Sequence, residues 1–374
     1  MKGRSIAIIA IIIIAVISIA TWYSLNPAGT PQETPQKEIS LNGAGATFPF
    51  PLIDKWISEY NKIYPNIKIN YQPIGSGGGQ RAHIEKTVHF AASDAPLSDE
   101  QLKNATNTLH IPITIGAVVP IYNIPNIPKG LNFTGEVLAK IFLGEIKKWN
   151  DPAILALNPG ISLPDADITV VHRADSSGTT YVWTNYLSAI SKEWKERVGM
   201  SVAVNWPVGL GAKGNDGVAA LVQQTPYSIG YVEFTYAMKT GLCYGKVKNA
   251  AGEFIDPSID SIMKAIEYAA ITLPKGYESW SKVSIVNSIV NNTQAKGAYP
   301  ITSFSYIIVY RELNVLPGMD RATAKALVDF LWWCIHEGQN YSAGLYYVPL
   351  PSNVVKLNEE TLKMITFNGQ IIKT

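Results

Sequence analysis

Cysteine is nearly absent from this chain: 374 residues carry only Cys243 and Cys334. That scarcity excludes a disulfide scaffold and a cysteine-built metal centre. Charge is scarce as well. Charged residues make up 16% and the formal net charge is +2, with no long lysine or arginine run. A nucleic-acid surface needs more positive charge than that, so none is expected. The five histidines show no metal-ligand spacing. The glycine stretch Gly75-Ser76-Gly77-Gly78-Gly79 runs into Gln80-Arg81 rather than Lys-Ser/Thr, so it is no Walker loop. No Gly-x-Ser-x-Gly elbow surrounds Ser177. The sequence therefore offers no metal, no cofactor and no activated nucleophile.

What the chain does have is apolar mass, with 47% hydrophobic residues and a length comfortable for two domains. Lys2 and Arg4 precede an uncharged apolar run over residues 6–23. A spanning helix takes about 17–25 residues and a secretory h-region about 7–15, so the run fits the first class and overlaps the second. Residues 1–25 read as a signal or a membrane anchor, with the uncleaved anchor favoured. The positive residues ahead of the run predict that everything after it is exported, to the cell surface or periplasm. No cysteine follows closely, which excludes a bacterial-type lipid anchor. Residues 26–40 read as a Pro/Thr/Gln linker. Sequons begin at Asn104, Asn132, Asn291 and Asn340, compatible with surface glycosylation.

The body alternates between two periods. Leu52, Ile53, Trp56, Ile57, Tyr60 and Ile63 recur at helical spacing, then Ile67, Ile69 and Tyr71 alternate as a strand. A helix is predicted over residues 80–87. Phe90-Ala91-Ala92 is a short strand ending at Ser93-Asp94, and Ser98 with Gln101 forms a capping box. Strands follow at 110–122, 168–171 and 301–310, with helices at 181–187, 216–224 and 324–335. Alternation of this kind predicts an α/β fold.

Polar groups gather where strands end. Arg173-Ala174-Asp175-Ser176-Ser177-Gly178-Thr179-Thr180 follows a strand and opens a helix. Helix-start N–H groups, hydroxyls and a guanidinium can converge there on a small oxyanion, with Asp175 holding the arginine. Ser76 and Asp94 also stand at strand ends, and Thr47 follows the glycine-rich turn Gly43-Ala44-Gly45-Ala46. Ligands of open α/β sheets sit outside the carboxyl ends of strands. Four such points from two separated regions suit a cleft between two lobes. A carboxylate in that cleft repels a fully ionised anion and accepts a hydrogen bond from one that still carries a proton, so Asp94 reads as a selectivity element. Ser177 is not expected to be a nucleophile, because His172 adjoins Arg173 on a strand and faces the other way.

Taken in order, Gly43-Ala44-Gly45-Ala46-Thr47-Phe48-Pro49, Gly75-Ser76-Gly77-Gly78-Gly79, Ala92-Ser93-Asp94-Ala95-Pro96-Leu97-Ser98 and Arg173-Ala174-Asp175-Ser176-Ser177-Gly178-Thr179 resemble the phosphate-binding proteins of Pst-type phosphate ABC importers. Leu143-Gly144-Glu145-Ile146-Lys147-Lys148-Trp149 and the stretch 209–217 are similar as well, and the resemblance covers nearly everything from Leu41 onward. It implies two α/β lobes of the periplasmic-binding type joined by two crossing segments. Lobe one would comprise residues 41–122 and 299–374, lobe two residues 123–298, which puts Cys243 and Cys334 in different lobes. The resemblance further implies that inorganic phosphate is bound by Thr47, Phe48, Ser76, Asp94, Arg173, Ser177, Gly178 and Thr179, with Asp175 behind the arginine. It implies no metal or cofactor, a monomer, and as partners a permease and its ATPase. Three departures stand out: Gly77 where a second serine is common, Ser176 where glycine is common, and His172 at a place where a basic residue can stand. The rival readings are a receptor for another oxyanion, such as arsenate, sulfate or molybdate, and a surface phosphatase.

Overall fold

The computed structural model describes residues 37–269 and 271–373, together with Val16, Ser18 and Thr21. The run expected to be an anchor, residues 6–23, lies outside the described residues apart from those three. Among the described residues no helix is long and apolar enough to cross a membrane.

From Ile39 onward the chain forms one compact unit. Its first strands are β1 (Ile39–Gly45), β2 (Ile67–Gln72), β3 (Phe90–Ser93) and β4 (Thr108–Asn123). β1 pairs in parallel with β2 on one side and β3 on the other. The strand Thr302–Tyr310 returns from the far end of the chain and lies antiparallel between β3 and β4. β4 is buried on both faces along its length, which is why its sequence is a continuous apolar run rather than an alternation.

β4 also changes partner. Residues up to Ala117 pair with Thr302–Tyr310, while Val118 onward pairs with the strand Ser228–Glu233. That second partner is continued by two parallel strands, Thr169–Arg173 and Leu210–Ala212. The chain comes back beside the same point, where the Val118 N–H donates to the Ile301 carbonyl and the Tyr299 hydroxyl to the Val118 carbonyl. Two lobes thus share one strand and are crossed twice at one place.

One continuous hydrophobic core runs through the body, with aromatic groups concentrated at two places. In the first, the helix Arg321–Ile335 packs Phe330 against Tyr60 and Phe90, and the Trp56 indole donates to the Gly338 carbonyl. In the second, Trp183 stacks on Tyr231 at 5.1 Å between ring centroids. A pair of that kind adds about 0.5–1.5 kcal/mol beyond its area. Both cysteines are free thiols.

Most predicted elements are present, with shifted starts. The capping box at Ser98 and Gln101 makes both of its bonds. The helix expected at residue 80 begins at Ser76, so the glycines belong to its first turns. A Cβ on Gly79 would lie 2.5 Å from the Gly45 Cα, so backbone-to-backbone packing overrides the poor helix propensity of glycine. Of the sequon asparagines, Asn104, Asn291 and Asn340 are exposed, whereas the Asn132 amide is spent on the Leu157 carbonyl.

Candidate oxyanion site

Four helices begin around one point: Phe50–Ile63, Ser76–Ile84, Gly178–Ile190 and Gly214–Gln224. The first two follow β1 and β2; the other two follow the strands Thr169–Arg173 and Leu210–Ala212. Their starts meet directly. The Gly77 N–H donates to the Ser176 carbonyl, the Gly214 N–H to Asp175, and the Asn215 amide to the Thr47 hydroxyl. Two of the convergent starts carry no acidic residue in the first turn and are preceded by glycine or serine, so no carboxylate of their own offsets the positive ends of these helix dipoles.

All the predicted residues are brought together there. Thr47, Phe48, Ser76, Asp94, Arg173, Ser177 and Thr179 are each no more than 4% exposed, and Gly178 is buried with them. Arg173 ends its strand and is held by Asp175 through two bonds, Nε to Oδ1 at 2.7 Å and Nη2 to Oδ2 at 2.5 Å. One Nη1 hydrogen reaches the Thr179 hydroxyl at 3.5 Å. Of the five guanidinium N–H groups, one on each terminal nitrogen is then left over. Burial works to raise the Asp175 carboxyl, but the arginine and the Gly214 N–H carry it below its ordinary value.

The backbone supplies further donors. Among the described residues the N–H groups of Phe48, Ser76, Gly178 and Thr179 meet no protein acceptor. The last three are first-turn groups that no helix can satisfy internally. Ser177 caps its helix by accepting from the Thr180 N–H, which leaves its own hydroxyl hydrogen.

Against these donors stands one carboxylate. Asp94 Oδ1 accepts from the Ser305 hydroxyl at 2.7 Å and Oδ2 from the Ser76 hydroxyl at 3.2 Å, while the Asp94 N–H donates back to Ser76. Burial pushes the Asp94 carboxyl up to about 7, opposed by those two hydroxyls and by the Arg173 charge. Ser76 is therefore turned toward Asp94, and its backbone N–H is what it leaves to a ligand.

Sequence reasoning did not find Ser305, which sits in an apolar strand with nothing local to mark it. Nor did it find Asn215, Glu233 or Tyr347. The Glu233 carboxyl is pushed well above the usual carboxylate range by burial, reinforced by Asp94. Its Oε2 accepts from the Thr235 N–H and lies 3.1 Å from the Tyr347 hydroxyl, whose hydrogen goes to the Phe48 carbonyl at 2.6 Å. His172 stacks on Trp206 at 4.8 Å, away from Ser177. The remaining histidines hold structural partners: His83 Thr108, His89 the Asn42 N–H, His110 the Leu97 N–H and His336 Glu359. Among the described residues no cluster could hold a metal ion.

A PBP superfamily domain matches residues 28–332. The phosphate-binding protein PstS of Xylella fastidiosa is 44% identical over 332 residues, covering 88% of this chain and 87% of that one. PstS of Methanocaldococcus jannaschii is 38% identical over 371 residues, covering 95% and 93%. Among solved structures, a phosphate-binding protein from Stenotrophomonas maltophilia superposes with a TM-score of 0.64 at 18% identity, over 88% of this chain and 99% of that one. At that identity the likeness is one of fold. The chain belongs to the PstS family of phosphate-binding proteins, within the PBP superfamily.

Proposed function

We propose that this protein is an extracytoplasmic receptor for inorganic phosphate that delivers it to an ABC import permease, and that it is not an enzyme. The observation that carries this reading is the imbalance of the site: many donors and an arginine converge, and a single buried carboxylate faces them. A tetrahedral anion is stabilised by charge-assisted bonds from the Arg173 fork, the Thr47, Ser177 and Thr179 hydroxyls, and the N–H groups of Phe48, Ser76, Gly178 and Thr179. Asp94 accepts the proton that monohydrogen phosphate retains. Sulfate has no proton to offer, so the ionised Asp94 carboxylate opposes it.

Binding is coupled to closure. We assign lobe one to residues 41–122 and 299–374 and lobe two to residues 123–298, with the pivot where β4 changes partner and Tyr299 reaches Val118. Phosphate bonds to both lobes and shifts the population toward the closed form. The apolar run at 6–23 holds the monomeric receptor at the outer membrane face as an uncleaved anchor. Recovery of the whole chain, with its first residues intact, in the membrane fraction is the expected result; a soluble chain lacking them would contradict it.

Titrating the phosphate-free protein calorimetrically at neutral pH tests the receptor reading. One tight site for phosphate with little response to sulfate is expected. Equal binding of the two would remove the role given to Asp94, and no phosphate binding would remove the function.

Two of the departures noted in the sequence, Gly77 and Ser176, face each other. A Cβ on Gly77 would lie 1.9 Å from the Ser176 Oγ, across the cleft. Serine at 77 and serine at 176 cannot both fit in the closed form. Gly77→Ser is expected to weaken phosphate binding about tenfold or more, by the usual penalty of overpacking. Adding Ser176→Gly should restore it. The same titration reads both, and a double variant no better than Gly77→Ser would refute the compensation.

A further inference from the structure

Asn215 lies in the first turn of Gly214–Gln224 and is fully buried. The Glu233 backbone N–H points at one atom of its amide, 3.0 Å away. A backbone N–H can only donate, so that atom is Oδ1 and the other is Nδ2. The amide orientation is thereby settled. The two Nδ2 hydrogens then go to two hydroxyls, Thr47 Oγ1 at 2.9 Å and Thr179 Oγ1 at 3.0 Å. One of these threonines belongs to the first lobe and the other to the second.

Counting lone pairs gives the consequence. A hydroxyl oxygen accepts twice and donates once. Thr47 Oγ1 also accepts the Asn215 backbone N–H at 3.3 Å, and Thr179 Oγ1 also accepts from Arg173 Nη1 at 3.5 Å. Both oxygens are filled as acceptors. Each retains one hydrogen, and among the described residues neither hydrogen goes to another protein group.

We propose that Asn215 is a positioning residue that sets the polarity of the site. The Asn215 backbone N–H fills one lone pair of Thr47 and Arg173 Nη1 one of Thr179; by taking the second on each, the side-chain amide leaves both hydroxyls able to act only as donors, one from each lobe, toward the bound anion. A ligand presenting acceptors is matched, and one presenting a hydroxyl or an N–H to these positions is not. Because the two threonines share one amide, their hydroxyls take up this polarity together, when the lobes meet. This inference rests on the phosphate reading above and deepens it.

The full chain, freed of phosphate, is titrated with inorganic phosphate at neutral pH, and its melting temperature is recorded without ligand. Asn215→Ala removes the amide, and Asn215→Leu removes it while keeping the space filled, so one variant carries the test if the other does not fold. Each is made in the wild-type chain and in a chain carrying Thr47→Val and Thr179→Val. Loss of aligned hydrogen bonds to a charged ligand should weaken phosphate binding about tenfold in the wild-type chain. In the double-valine chain the same change should weaken it no more than about twofold, because the groups it orients are gone. An equal loss in both chains, or no loss in the wild-type chain, would overturn the proposal and leave the receptor reading standing. Failure of the wild-type chain to bind phosphate would overturn both.

Discussion

Gly178→Ala is expected to reduce phosphate affinity by roughly a hundredfold or more without unfolding the protein. The reason is distance. A Cβ at this position would lie 2.3 Å from both Asp94 Oδ2 and Ser76 Oγ. Neither neighbour can retreat: Asp94 is tied on its other oxygen to Ser305, and Ser76 opens a helix whose backbone packs on β1. Alanine suits the first turn of a helix better than glycine does, so the second lobe itself loses nothing. The defect is confined to bringing the lobes together. A calorimetric titration paired with thermal melting checks this. An unchanged melting temperature with lost binding is the expected pair, and near-normal binding would show that the lobes close less tightly in solution.

The second large effect concerns which anion is bound. Asp94→Asn replaces a carboxylate by a neutral amide of the same shape, which can donate as well as accept. Sulfate binding should strengthen and phosphate binding weaken modestly, shifting the preference by roughly a hundredfold at neutral pH, since bonds to charged groups are worth about 1.5–3 kcal/mol. The wild-type protein should show the same chemistry through pH. With its carboxyl held at about 7, Asp94 is protonated at lower pH and then donates to sulfate. Sulfate binding should therefore strengthen as pH falls below about 7 and be lost above it, and this dependence should vanish in Asp94→Asn. Stability follows the same sign. A carboxyl raised above its ordinary value favours the folded state below its unfolded pKa, and that contribution disappears as pH rises through about 7. The melting temperature of the phosphate-free wild type, taken relative to Asp94→Asn, is expected to decline from pH 4 to pH 8; identical profiles would contradict it.

The parts of the site that could be read in the sequence share one property: their meaning is local. Arg173 and Asp175 stand two residues apart at a strand end, and the Ser-Gly-Thr run announces a helix start. Chemistry and geometry there come from a single stretch. Asn215 is different. Its role depends on Thr47, Thr179 and Glu233, which come from three other parts of the chain, and next to Gly214 it looks like any turn residue. Ser305 is hidden for the same reason, being a small polar residue in an apolar strand until Asp94 is placed opposite it. The start of the helix at Ser76 went against glycine propensity, and only the closeness of Gly45 to Gly79 explains it. Alternation of strands and helices pointed to α/β architecture. The passage of β4 through both lobes left no mark in periodicity, because a strand buried on two faces reads alike whatever lies beside it. There the ordered family motifs carried the expectation, and the pairing of β4 supplies its physical form.

That shared strand bears on how the protein comes to be made. On the lobe assignment proposed above, the first lobe is assembled from both ends of the chain, and Ser305, which holds Asp94, comes 211 residues after it. A chain synthesised from its N-terminus presents β3 and the first half of β4 long before Thr302–Tyr310 exists to lie between them. The second lobe, by contrast, finds nearly all of its strands within one contiguous stretch. It can mature first, while the apolar edges of the first lobe wait unpaired and open to association with other chains. The residues from Thr302 onward are thus the ones whose arrival closes the first sheet, a long delay of the kind that high contact order imposes.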